Sequence, residues 1–242
     1  KLPDYVEDDP EINRLWKAYQ FFPYVDRGGR KVAYIFANGK KEYKGESINK
    51  YDIIKIFVLA LLFRLAVYIA SAVYLYIFSD ETTYSFADFL SSWNRWDAPN
   101  YIDIADKGYA GCTEDGEHLF LVFFPLYPWL VRLLHIVIAD WELVCLIIST
   151  LAYTAGACFF YALLSEEYGR RIAGKSLVLL SVYPFAFFFG GMMTESLFFC
   201  TMMAGFYCVK KHYWLAAGIV GILCSLCRVQ GVLLFGVAGI EF

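Results

Sequence analysis

The chain alternates long apolar runs with short polar clusters. Read along its length, Ile53–Phe78 is one long apolar segment, and 143–164 is a second, opening after Asp140-Trp141-Glu142. A bilayer-spanning helix needs about 20 such residues. Two shorter runs, 176–190 and 197–209, flank the polar sextet GMMTES, with Pro184 and two glycines at the bend, and predict a helical hairpin. Residues 213–229 predict a further span, and a last one starts at Leu233. The segment 119–139 is apolar, but Pro125, Pro128, Arg132 and His135 interrupt it. The pattern is that of an all-α polytopic membrane protein.

Positive charge orients these spans, because cytoplasmic loops collect Lys and Arg. Lys40, Lys41, Lys44 and Lys50 precede the first span, Arg170, Arg171 and Lys175 follow the second, and Lys210 and Lys211 follow the hairpin. All three groups face one side only if 119–139 does not cross, which predicts an amphipathic or re-entrant segment on the outer surface. The loop 80–118, the sextet 191–196 and CRVQG at 227–231 then share the outer face. Topology alone thus brings Asp97, Glu195 and Arg228 together, and polar groups near a membrane are functional candidates by default.

Composition agrees. Hydrophobic residues make up 59% of the 242 and mean hydropathy is +0.48, against about 45–50% apolar in soluble domains. Charges concentrate in residues 1–50, a polar, cytoplasmic N-terminal segment ahead of a membrane domain at 51–242. A net charge of −3 argues against a nucleic-acid partner. The start at Lys1 and the end on GVAGIEF lead us to expect a piece of a longer chain. Six of the seven cysteines lie in apolar runs and read as packing residues, Cys224-Ser-Leu-Cys227 included. His118, His135 and His212 have no metal-ligand spacing.

The loop 80–118 carries the most polar stretch of the domain, RWDAPNYIDIADKGY at 95–109. Asp97 followed by Ala98 and Pro99 predicts a helix start and Gly108 its stop. Asp97, Tyr101, Ile104, Ala105 and Gly108 share one face of a short surface helix. Asn100, Asp103, Asp106 and Lys107 take the other. Asp97 reads either as an N-cap paired with Arg95 or as a carboxylate at the water–lipid boundary able to deprotonate a hydroxyl. Arg228 reads as a snorkelling arginine or as a phosphate clamp. Glu195 reads as a first-turn acid behind a Thr194 cap. Arg64, inside the first span, is expected to pair or to line a cavity. Asp103 and Asp106 are a solvated face, with a DxxD metal site as the alternative. Trp93, Trp96, Tyr101 and Tyr127 read as interfacial anchors or as rings that stack on a sugar or an isoprenoid.

Four blocks in order, RWDAPNYIDIADKGY, FFPLYPWLVRLL, YPFAFFFGGMMTESLF and CRVQGVLL, resemble the PIG-V-type mannosyltransferases. These are the second mannosyltransferase of glycosylphosphatidylinositol assembly and its bacterial relatives. The resemblance covers about residues 93–235. It implies a GT-C glycosyltransferase: a helical bundle whose long non-cytoplasmic first loop, here 80–118, carries amphipathic helices and an essential acid. It implies inverting transfer of a hexose, mannose above all, from a polyprenyl-phosphate donor such as dolichyl-phosphate-mannose to a hydroxyl of a lipid-linked or cell-envelope acceptor. The family's Trp-Asp pair falls on Trp96 and Asp97, and its proline-aromatic block on Phe124, Pro125, Tyr127 and Pro128. Its Thr-Glu-Ser falls on Thr194, Glu195 and Ser196, and its arginine on Arg228. Met193 and Val229 depart from the family pattern, and residues 1–50 match none of it.

The implied roles are Asp97 as catalytic base and Arg228, with Arg95, as donor-phosphate ligands. Trp96, Tyr101, Pro125, Tyr127, Thr194 and Glu195 support them. No cofactor and no metal are expected, since the leaving group is already a lipid phosphate. The expected partners are the lipid-linked sugar, a lipid-linked or glycan acceptor, membrane lipids and a membrane subunit. The expected location is a bacterial plasma membrane or the endoplasmic reticulum membrane, with the site on the non-cytoplasmic face. Two other classes compete, a transporter and a non-catalytic lipid-binding subunit. A transporter predicts an internal repeat and polar groups at the bilayer midplane. The sequence has no such repeat.

Overall fold

The computed structural model describes residues 35–37, 40–42, 49–78, 84–112 and 119–241. The chain divides into two units, 1–44 and 45–242. In the first, β1 (Ile35–Ala37) pairs antiparallel with β2 (Lys40–Glu42), a short ribbon that the all-α expectation did not include. The remainder of the polar N-terminal segment lies outside the described residues.

Every regular element among the described residues of the second unit is a helix. Its frame is α1 (Lys50–Phe78, 29 residues) and α5 (Trp141–Tyr168, 28 residues). At 1.5 Å per residue each is about 42–44 Å long, more than a hydrocarbon core of about 30 Å. They are the two described helices long and apolar enough to cross a membrane. Between them lie α2 (Phe86–Trp93), α3 (Ala98–Lys107) and α4 (Leu126–His135). After α5 come α6 (Arg170–Val182), α7 (Glu195–Lys210), α8 (Trp214–Cys227) and α9 (Leu233–Glu241). The helix α4 has ten residues, about 15 Å, so the segment 119–139 contains no spanning helix.

Two boundaries correct the sequence reading. The polar cluster Arg170, Arg171, Lys175 is not a loop: α5 runs on to Tyr168, Gly169 turns the chain at φ 87°, and those residues begin α6. The hairpin arms α6 and α7 have 13 and 16 residues, and α8 has 14, all short of a full crossing. The cause in α6 is local. Pro184 disfavours helix in the residue before it, and Tyr183 is extended at φ −58°, ψ 138°. The chain then makes the 3-10 turn Ala186–Gly190 before α7 begins.

That turn leaves carbonyls without helical partners, and an apolar setting offers no water to replace them. Side chains from three helices serve instead. Arg64 Nη1 donates to Ala186 O at 3.2 Å, and Tyr68 OH donates to Gly190 O at 3.0 Å. Ser149 Oγ donates to Gly191 O at 2.7 Å, and Ser196 Oγ donates to Phe189 O. Arg64 and Ser149 are fully buried. Polar residues inside α1 and α5 are therefore the caps of a broken helix elsewhere in the chain.

The core is built on α5. One cluster joins Leu90, Ala98, Tyr127, Val131, Val144, Cys145 and Met192, and the other joins Ile56, Tyr153, Ala157, Ala173 and Phe199. Gly156 lets α7 approach: a Cβ there would sit 2.6 Å from the Phe199 ring. Cys145, Cys224 and Cys227 are buried and unbridged, in keeping with small packing residues. At one end of the bundle the charged residues pair: Asp52 with Arg170 at 3.1 Å, Glu166 with Lys211 at 2.7 Å, and Glu167 with Lys210. At the start of α5, Asp140 Oδ1 accepts from Leu143 N at 2.8 Å. Asp140→Ala is expected to cost about 1 kcal/mol, read as a lower Tm of the full-length protein in detergent.

Candidate functional site

The surface helix α3 carries the first half of the site. Ala98, Tyr101, Ile104 and Ala105 are buried against the bundle, and Gly108 ends the helix at φ 70°. The stop is the predicted one, and Tyr101, Ile104 and Ala105 of the predicted face are buried, but Ala98 takes the buried place given to Asp97, which is exposed. The predicted cap is not observed. The Asp97 carboxylate accepts no backbone N–H, and Asp97 itself is helical at φ −81°, ψ −8°. No ion pair among the described residues joins it to Arg95, whose Nε donates to Ser92 O at 3.4 Å in its own turn. Asp97 is therefore an exposed carboxylate with its backbone fixed and its side chain uncommitted.

The residue before it is strained. Trp96 sits at φ 54°, a left-handed conformation that costs a non-glycine residue about 1–3 kcal/mol. Its indole packs on Phe187 and Phe188, with centroids 5.8 and 5.3 Å away, while 66% of the residue stays exposed. The chain leading to it is tied down by Trp93 Nε1 to Ser71 Oγ at 3.2 Å and by Asn94 Nδ2 to Glu142 Oε1 at 2.9 Å.

The second half lies where α7 begins and α8 ends. Arg228 Nε donates to Thr194 Oγ1 at 2.9 Å, and Arg228 Nη2 pairs with Glu195 Oε1. The second Glu195 oxygen is buried with no partner. Thr194 makes no side-chain cap bond to α7, so its predicted capping role is replaced by holding the guanidinium. Arg228 is partly exposed, and two of its three donor nitrogens, Nε and Nη2, are held by Thr194 and Glu195.

Tyr101 joins the halves. Its phenol lies one helical turn from Asp97 and is buried. Burial pushes its pKa up and the Thr194 hydroxyl draws it down, while Glu195 and Asp97 raise it and Arg228 lowers it. Its ring belongs to the same buried cluster as Met193, Leu197 and Cys227, which flank Thr194, Glu195 and Arg228.

Other predicted residues have different places. Tyr127 is fully buried, its OH donating to Cys145 O at 3.2 Å with Ser149 Oγ at 3.3 Å, and its ring meets Tyr101 edge-on at 5.4 Å. It bolts α4 to α5 and cannot stack on a substrate. Pro125 stands at the N-cap of α4. Trp93 is committed to Ser71. Asp103 pairs with Lys107 at 2.7 Å, and among the described residues no group of three or more His, Cys, Asp or Glu side chains is arranged to hold a metal ion. Between α4, α5 and α7 runs a groove of about 610 Å³ lined wholly by apolar side chains, among them Leu134, Val137, Leu151 and Leu197. Leu197 is two residues from Glu195.

The sequence reading missed Tyr68, Ser149 and Thr150, and named Ser196 without its bond to Phe189 O. A usable signal existed for Tyr68: it stands one turn from Arg64 on the same face of α1. Compared with family models, with curated proteins and with solved structures, the chain matches none.

Proposed function

We propose that the protein is a multi-pass membrane glycosyltransferase of GT-C type. It moves a hexose, mannose in the first instance, from a polyprenyl phosphate to a hydroxyl of a lipid-linked or cell-envelope acceptor on the non-cytoplasmic face. The observation that carries this reading is one buried cluster in which Ala98 and Tyr101, on the helix that Asp97 begins, pack with Met193, Leu197 and Cys227, the neighbours of the Thr194–Glu195–Arg228 group. A fixed guanidinium to bind a phosphate and an uncommitted carboxylate to take a hydroxyl proton are the two groups that transfer from a phosphate to a hydroxyl requires.

In this reading Arg228 receives the donor phosphate, and the groove between α4, α5 and α7 takes the lipid chain. The acceptor hydroxyl enters from water over α3. Asp97 takes its proton as the oxygen attacks the anomeric carbon. The bond from that carbon to the phosphate oxygen breaks on the opposite face, and the lipid phosphate leaves with the bonding pair, inverting the centre. The ion-paired end with Arg170, Lys210 and Lys211 faces the cytoplasm, in accord with the positive-inside rule. The exposed Trp96 supports interfacial placement of α3.

One observation favours a second reading, a transporter: Arg64, fully buried midway along α1, lies beside a broken helix. The test is to offer membranes carrying the full-length protein labelled polyprenyl-phosphate-mannose or a nucleotide-linked mannose. Label is expected in a new glycolipid or glycan from the first donor alone. Uptake of label into sealed vesicles without a new glycosidic bond would replace the transferase by the transporter.

A further inference from the structure

The mechanism above does not use Arg64 or Tyr68. Both lie on α1, whose residues in the notional chemistry are none, yet they are among the most constrained polar groups in the molecule. Arg64 is fully buried, donates one bond to Ala186 O, and sits over the Tyr153 ring with Cζ 4.4 Å from its centroid. Its Nε and Nη2 have no hydrogen-bond partner. An arginine kept in so poor a setting is costly. Tyr68 OH donates to Gly190 O and meets Thr150 Oγ1 at 3.0 Å, and its ring meets Trp93 edge-on at 5.0 Å. A Cβ on Gly190 would lie 3.0 Å from Arg64 Nη1 and 3.2 Å from the Tyr68 ring, so a larger residue there would push on both donors.

The turn they hold touches both halves of the site. Its Phe187 and Phe188 carry the strained Trp96, the residue before Asp97. Its exit passes through buried Met192 and Met193 to Thr194, which holds Arg228. We infer that Arg64 and Tyr68 are positioning residues for the transfer site, setting Asp97 and the Thr194–Arg228 pair in register through the turn Ala186–Gly190. This assignment rests on the transferase reading for its consequence, but not for its mechanics.

The mechanics have their own readout. Tyr68→Phe removes only the hydroxyl, and Arg64→Met removes the donor and charge while keeping an apolar stem. Neither side chain contacts Asp97. Amide exchange of the full-length protein in nanodiscs is expected to quicken at least fivefold over residues 95–101, where Ala98 N bonds Arg95 O and Tyr101 N bonds Asp97 O. It is expected to quicken over 186–191 as well, and to stay within twofold at the far end of α5, where Gly169 N bonds Ser165 O. Exchange over 95–101 within twofold of wild type in Tyr68→Phe, with or without a change over 186–191, overturns the inference. Tyr68→Phe alone decides it where Arg64→Met does not accumulate. In the transfer assay kcat of Tyr68→Phe is expected to fall on the order of tenfold or more, as small misplacements do, at matched protein level. A wild type that transfers no sugar sinks the transferase reading and leaves the exchange result to judge the linkage by itself.

Discussion

Arg228→Ala is expected to lower sugar transfer at least 100-fold and to destabilise the protein by about 2 kcal/mol. Under the proposed function, the transfer loss follows from removing the charged group assigned to the leaving phosphate, a change that costs about 10²–10³ in comparable sites. The stability loss follows from Glu195. One of its oxygens is already buried without a partner, and the other is held by Arg228 alone. A carboxylate stripped of its charged hydrogen bond costs about 1–3 kcal/mol, with the pair's partial exposure keeping the figure below that of a fully buried pair. The double variant Arg228→Ala/Glu195→Ala separates the two effects. Removing both partners is nearly neutral, so Tm is expected to recover while transfer does not. Recovery of transfer in the double variant would remove Arg228 from the donor site. Tm by scanning fluorimetry and initial rates in the same preparation check both halves.

Gly231→Ala is expected to be as damaging by a different route. Arg228 leaves α8 in an extended conformation, and the 3-10 turn Val229–Val232 folds back on the last turn of that helix. A Cβ on Gly231 would lie 2.3 Å from both the carbon and the oxygen of the Cys224 carbonyl and 2.4 Å from Ser225 N. All three are backbone atoms of a helix and cannot swing aside as a flexible side chain would. The turn must move, and Gly231 N is bonded to Arg228 O at 2.9 Å, so Arg228 moves with it. We expect a loss of about 3 kcal/mol, the upper range for overpacking, and a transfer rate close to that of Arg228→Ala. Gly236→Ala is the control. A Cβ there meets nothing within 4 Å, and alanine favours the helix by about 1 kcal/mol, so Tm should hold or rise. Equal behaviour of the two alanine variants would contradict the packing described for this turn.

The candidate site was legible where a local rule met a long-range one. Pro99 and Gly108 mark the ends of α3 by conformation alone, and the prolines of 119–139 foretell the short α4. The expectation that Asp97, Glu195 and Arg228 share one face came instead from the distribution of Lys and Arg. Local rules failed where a distant partner competed for the same atom. Thr194 has the residue type of a cap, but its hydroxyl is taken by Arg228, 34 positions away. Tyr127 has the residue type of a stacking ring, but the packing of α4 on α5 buries it. The capping of the turn Ala186–Gly190 was not legible at all. Arg64 and Tyr68 each reach carbonyls 122 positions away, and no periodicity along α1 reports a bond to an irregular backbone. The length of α6 was misread for a simpler reason: hydropathy continues through Pro184, and the helix does not.

The most direct test of the account is transfer by wild type and Asp97→Asn at matched protein level. Membranes carrying the full-length chain would be supplied with labelled polyprenyl-phosphate-mannose. Asparagine keeps the shape of a side chain that caps nothing, so the fold is expected to be unchanged, while a base is worth about 10²–10⁴ in rate. The account predicts transfer by wild type and a loss of at least 100-fold in Asp97→Asn. Equal transfer by the two proteins would contradict it.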